Sequence, residues 1–403
     1  MLVSFLANPA PESIELADFI LIALPCFLAV ICLSATTSYA IYQTEGNLLI
    51  AVMIYLSYLL GSLLFGLLHG VSLLNVLRSI GPYINFFPLL LMGLLPSRLI
   101  NPWSIGVILI MIGTLQASYQ IYLFLTHSNN AINTLGILRS RITLVEPRTT
   151  LPIALSVAIL PLAFLSTRHT SIKLILLGLI MFGIFASTAT LTRSIMISIL
   201  IGIITYIFLY MHKQIRSNSF SLLALLRSVS LYLGFFIISI LLMSMIPKIY
   251  ILEQGLFARF YHYTSSTASA DYSNGRLYDE WLPALKTWLN SDILSLFFGI
   301  GAGNTFIVPT GEERTYIHNL SIYSLVYGGI YGLFACLWLY YSLFKTLIIR
   351  AYQTQQTIYL AFAALLFSIF SYGQFFAVHK GLAFNAMLYL MITLALCQPI
   401  KRV

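Results

Sequence analysis

Mostly apolar windows of roughly 20 residues, the length a helix needs to cross a bilayer, recur along this chain, and that recurrence restricts it to a bundle of transmembrane helices. Such windows fall at about 19–34, 48–69, 81–96, 103–125, 151–166, 172–187, 194–211, 229–246, 318–344, 357–372 and 382–397. Charge is too sparse for any other class. Only 8% of the 403 residues are charged while 59% are hydrophobic, against roughly 25% charged in a soluble domain. The expectation is an all-α polytopic membrane protein, residues 1–403 forming a single integral membrane domain. No cleavable signal is expected, because Glu12, Glu15 and Asp18 stand where a basic flank would be. Cys26, Cys32, Cys336 and Cys397 all fall in apolar windows and read as small packing residues. A net charge of +9 spread over many loops is no nucleic-acid signature.

Lysines and arginines between the windows orient the chain. Placing Lys213, Arg216 and Arg227, then Lys345 and Arg350, then Lys401 and Arg402 on the cytoplasmic side gives one alternating topology. Arg98, Arg168 and Lys173 join them, and residues 247–317 form one large outer segment. The same topology sends Arg78, Arg139, Arg141, Arg148 and Arg193 outward, against the usual bias. Arginine offers a planar fork of donors that matches phosphate, so a convergent set reads as a pyrophosphate or acidic-glycan site. The plain alternative is that each one snorkels, or pairs with an acid such as Glu146. Arg193, in "STATLTRSIMISIL", has no acid nearby in sequence, and a charge at such a mouth defaults to a functional hypothesis.

Within the outer segment, Leu277, Trp281, Leu282, Leu285, Trp288, Leu289 and Ile293 recur at near-helical spacing, with Asp279, Glu280, Lys286, Asn290 and Asp292 on most of the other face. The spacing predicts an amphipathic helix, either lying at the membrane boundary or packed on the bundle. "GIGAGN", 299–304, lacks the third glycine of a dinucleotide fingerprint and reads as a tight loop whose backbone must approach something closely. His318 and Asn319 then open a long apolar stretch, "HNLSIYSLVYGGIYG". Histidine there is either a helix cap or a proton acceptor at the membrane boundary.

Taken in order, "TLTRS", the outer "GR" before a Trp-containing helix, "GIGAGN" and "HN" before a glycine-bearing helix resemble the O-antigen ligase and O-antigen polymerase superfamily of bacterial membrane glycosyltransferases. The likeness is specific over 188–334. It implies a fold of the GT-C type with about 11–12 transmembrane helices. It also implies a glycan donor on undecaprenyl diphosphate and transfer on the periplasmic face of the inner membrane, with no metal and no cofactor. Arg193 and Arg276 match the arginines thought to hold the diphosphate, and His318 matches the essential histidine. Many relatives, ligases in particular, carry an acid inside the helix after "HN", where this chain has Tyr327.

The expected activity is that of a repeat-unit polymerase. The alternatives are a ligase moving finished polymer to lipid A-core and, outside enzymes, a transporter of polysaccharide intermediates. Candidate catalytic residues are His318, Arg193 and Arg276; candidate substrate-binding residues are Arg78, Arg139, Arg141, Arg148 and Asn319. Partners would be the lipid-linked glycan, a glycan or lipid A-core acceptor, membrane lipids and a chain-length regulator. The chemistry agrees: guanidinium groups stabilise a departing diphosphate and an imidazole accepts the acceptor hydroxyl's proton.

Overall fold

The computed structural model of the chain describes residues 46–84, 101–133, 155–166, 169–189, 193–216, 277–375 and 381–396. The windows at 19–34 and 229–246, and most of that at 81–96, lie outside the described residues. Helix dominates. Asn47–Leu68, Pro102–Tyr119, Ser194–Arg216 and Leu320–Thr354 are long and apolar enough to cross a membrane, and Leu155–Leu165, Ser171–Ser187, Ile358–Gly373 and Phe384–Leu396 are shorter apolar helices. In chain order the helices are α1 (Gly46–Leu68), α2 (Leu73–Ile84), α3 (Pro102–Asn133), α4 (Leu155–Leu165), α5 (Thr170–Ala189), α6 (Arg193–Arg216), α7 (Leu282–Leu289), α8 (Ile293–Phe298), α9 (Leu320–Thr354), α10 (Ile358–Gly373) and α11 (Leu382–Leu396). One departure from an all-α fold is a small antiparallel hairpin, β1 (Phe306–Ile307) against β2 (Glu313–Arg314), between α8 and α9.

The long helices turn apolar stripes outward. Ile50, Met53, Leu60 and Leu64 on α1, Ile197, Leu200, Ile204 and Phe208 on α6, and Ile330, Phe334, Leu337 and Tyr341 on α9 are all exposed, three or four residues apart or at multiples of that step. In water such faces would drive aggregation; hydrocarbon tolerates them, since helices satisfy their own backbone groups. Inside, α10 is buried along nearly its whole length, packed between α6 and α9. Small residues allow this approach: a Cβ on Gly202 of α6 would stand 3.0 Å from the Cβ of Ser368 on α10.

Side-chain contacts sort the helix ends into two groups. Ser198 accepts from Ser368 Oγ at 2.7 Å, and Lys213 Nζ donates to the Gln355 carbonyl at 2.8 Å, so α6 and α10 run antiparallel. Tyr327 O accepts from Ser62 Oγ at 2.9 Å and Tyr331 pairs with Ser57, so α1 and α9 are antiparallel too. Thr357 Oγ1 donates to the Ala163 carbonyl at 3.0 Å, and a Cβ on Gly106 would meet Ile358, which places the start of α3 and the end of α4 beside the start of α10. One end of the bundle thus gathers the C-terminus of α1, the starts of α6 and α9, and the end of α10. The other gathers the ends of α6 and α9 and the starts of α3 and α10. Asp279, Glu280, Asp292, Glu312 and Glu313, the carboxylates among the described residues, all belong to the first.

Two expected boundaries change. The window at 318–344 is one helix to Thr354, so Lys345 and Arg350 lie within it and not in a loop. Arg350 is buried within the helix, and its Nε–H donates to the Ala395 carbonyl at 3.2 Å on α11. The amphipathic segment is likewise broken, into a π-helical turn at Leu277–Trp281, then α7, then α8. Trp281 and Trp288 pack on the core, and Trp288 Nε1 donates to the Ser295 carbonyl at 3.1 Å. This is the bundle-packed arrangement.

Candidate functional site

The loop at 299–304 is a wedge. Ile300 N–H donates to the Val326 carbonyl at 3.0 Å and Ala302 N–H to the Ser62 carbonyl at 2.8 Å, so its main chain bridges α1 and α9. Gly301, at φ 84°, faces the Phe65–Gly66 backbone with no room for a Cβ. Opposite it, α9 is kinked at Gly329 (φ 65°, ψ −165°), whose missing Cβ admits the Phe297–Phe298 backbone of α8. The segment from α8 through the 299–304 loop is therefore pinned to the first turns of α9.

Those turns carry the histidine. Asn319 is extended (φ −155°, ψ 119°) and caps α9: its Oδ1 accepts from the Ile322 N–H at 2.9 Å, while its Nδ2 donates to the Gln374 carbonyl at 3.0 Å. Both ends of the amide proposed for substrate are thus engaged by protein. Ser321 Oγ adds a bond to Gln374 Oε1 at 2.8 Å, fastening the start of α9 to the end of α10. One residue earlier, His318 is 9% exposed, with Tyr316 edge-on at 5.2 Å between ring centroids.

Glu280, only 2% exposed, meets His318 twice. Its Oε2 accepts from Nδ1 at 2.7 Å and its Oε1 accepts from the His318 backbone N–H. The π-helical turn that carries Glu280 adds a residue to the helical repeat and turns this side chain to the bundle, a device common at functional sites. A carboxylate accepting at both oxygens fixes the proton on Nδ1 and leaves Nε2 as the nitrogen that accepts, the arrangement by which an acid orients a histidine base.

The arginines are placed by their backbones. Arg193 is the first residue of α6. With Ser198 beside Ser368 in an antiparallel pair, five residues back along α6 corresponds to five forward along α10, at Gly373, next to the Gln374 that holds Asn319. Arg78 lies within α2, beside Ser79, whose hydroxyl pairs with Tyr323 OH at 3.2 Å one turn into α9. Both main-chain positions are at the His318 end; their side chains, and Arg139, Arg141, Arg148 and Arg276, lie outside the described residues. Arg276 immediately precedes Leu277, four residues from Glu280.

Among the buried polar atoms with no hydrogen-bond partner among the described residues are Ser194 Oγ and Trp281 Nε1 at this end. Each neighbours a candidate residue, Arg193 and Glu280. Buried polar atoms are seldom left so. Tyr327, where many members of the resembled superfamily carry an acid, is fully buried; its OH donates to the Asn304 carbonyl at 3.2 Å and its ring lies 4.6 Å from that of Tyr323. Helical spacing assigns Glu280 to the polar face of an amphipathic helix, whereas in the structure it is buried against His318. Its position four residues after the "GR" is the one local signal, and nothing in spacing ties it to a histidine 38 residues away. No protein-family model and no curated protein sequence matches this chain significantly.

Proposed function

We propose that this chain is a membrane glycosyltransferase that moves a glycan from undecaprenyl diphosphate to an acceptor hydroxyl at the His318 end of the bundle, on the periplasmic face of a bacterial inner membrane. The observation that carries the reading is the buried Glu280–His318 pair at the mouth of a helix long enough to cross a membrane. In the reaction His318 Nε2 takes the acceptor's proton as the hydroxyl oxygen bonds to the anomeric carbon. The bond from that carbon to the diphosphate oxygen breaks and the lipid diphosphate leaves. Glu280 holds the ring and its charge throughout. Arg193 and Arg276 offset the charge that develops on the departing diphosphate, a role guanidinium performs best where water is scarce.

The activity is that of a repeat-unit polymerase. A ligase to lipid A-core is the second reading, and Glu280 favours keeping it: a carboxylate reaches the histidine from the outer segment, so Tyr327 in the helix is no mark against a ligase. The test is His318→Ala in the intact chain. Lipid-linked polymer should no longer form while protein level is unchanged, and normal polymer from the variant would end the assignment. A deletion strain separates the readings: core with a single repeat unit marks a polymerase, and bare core with polymer retained on the carrier marks a ligase.

A further inference from the structure

At the end of the bundle opposite His318, the last turn of α6 and the end of α9 border an open cavity of about 320 Å³ lined by Lys213, Arg216, Tyr352 and Gln355, of which Arg216 and Gln355 are exposed. The length of α9, 35 residues at about 1.5 Å each, separates it from the histidine by on the order of 50 Å. Lys213 is buried, and its ammonium donates to the neutral Gln355 carbonyl at 2.8 Å. The Arg216 guanidinium sits 5.3 Å over the Tyr352 ring, whose hydroxyl also meets His212 Nδ1. A buried ammonium and a guanidinium over an aromatic ring make a cationic, donor-rich wall. Among the described residues no carboxylate is at hand to neutralise it. The sequence holds no Asp or Glu between Glu146 and Glu253, the stretch that carries α5 and α6, nor any after Glu313, the stretch that carries α9; Glu45, ahead of α1, lies outside the described residues, and the described acids stand at the far end. Concentrated positive charge in a cavity between membrane helices draws an external anion, and at the level where two spans end, the anion present at high concentration is the phosphate of a lipid headgroup.

We infer that this cavity binds the phosphate of an anionic phospholipid from the leaflet opposite the His318 site. Arg216 presents its fork to the phosphate oxygens, Lys213 adds the second charge, and the Gln355 side chain completes the rim. The inference is independent of the role given to His318.

The full chain, purified from vesicles of phosphatidylcholine with and without phosphatidylglycerol, is examined by native mass spectrometry for retained lipid. Wild type should keep phosphatidylglycerol in preference to phosphatidylcholine. Arg216→Ala should weaken that retention about fivefold to tenfold, the worth of about one basic residue at an anionic surface. Arg216→Lys, which keeps the charge without the fork, should fall between. Lys173→Ala removes a cation from the first turn of α5, at the same end but outside the cavity, and should leave retention unchanged. Equal loss in the Lys173 and Arg216 variants would mean diffuse attraction to the leaflet and would overturn the inference. Inorganic phosphate binding to wild type, with no preference for phosphatidylglycerol, would assign the cavity to a soluble phosphate and overturn the lipid assignment.

Discussion

Replacing Glu280 by Gln changes almost no volume and removes one charge, so it isolates what the carboxylate does. In the native pair both oxygens accept, one from Nδ1 at 2.7 Å and the other from the His318 backbone N–H. A glutamine has only one oxygen. If that oxygen keeps the backbone N–H, its NH₂ faces Nδ1 and forces the ring proton onto Nε2, where the base must accept. The electrostatic loss acts in the same direction: opposite unit charges about 4 Å apart at an effective dielectric of about 20 attract by about 4 kcal/mol. Removal of that attraction slows a step that makes imidazolium by about a thousandfold. The assay follows release of undecaprenyl diphosphate by purified chain in vesicles with a lipid-linked oligosaccharide. Glu280→Gln should lower kcat by two to four orders of magnitude with little change in KM, because the carboxylate acts on the ring and not on the sugar. Glu280→Asp should recover part of the activity. Near-normal kcat in Glu280→Gln, with unchanged thermal stability, would refute the orienting role.

Further outcomes follow from the packing. Gly329→Ala puts a Cβ into the Phe297–Phe298 backbone at a positive φ, so it should cost more than ~1 kcal/mol and lower the yield of folded chain, read by thermal unfolding in detergent. Tyr327→Phe should cost about 1 kcal/mol for one lost hydrogen bond, whereas Tyr327→Glu buries an unpaired carboxyl and should unfold the segment. Asp292 caps α8, and the Ser295 backbone N–H at 2.6 Å holds its carboxyl below the ordinary carboxylate range. A depressed folded value makes its contribution full above the unfolded value and lost as pH falls through the folded one. Acidification should therefore narrow the gap in melting temperature between wild type and Asp292→Asn, whose amide oxygen still accepts from Ser295.

The helices were legible where apolar windows ran to roughly 20 residues, because length and lipid solvation alone dictate them. Positions 48–69 and 194–211 fall on α1 and α6 for that reason. The end of α9 was not legible, since Lys345 and Arg350 read as loop charges until the Ala395 carbonyl, which receives the Arg350 Nε–H, is in view. The 299–304 turn was read from its glycines as a close backbone approach, and what it approaches, the α1 and α9 main chains, comes only from tertiary structure. At the site, "HN" marked His318 by itself. Glu280 did not stand out, because a π-helical turn shifts a side chain between faces and leaves no periodic trace in sequence.

The most direct test of the central claim is a single-turnover reaction of the purified chain with an undecaprenyl-diphosphate-linked oligosaccharide and its glycan acceptor, comparing wild type with His318→Ala. The account predicts glycan transfer and stoichiometric release of undecaprenyl diphosphate from wild type, and neither from the variant, although the variant still binds the donor. Transfer by the variant at the wild-type rate, or lipid diphosphate release with no glycan on the acceptor, would contradict it.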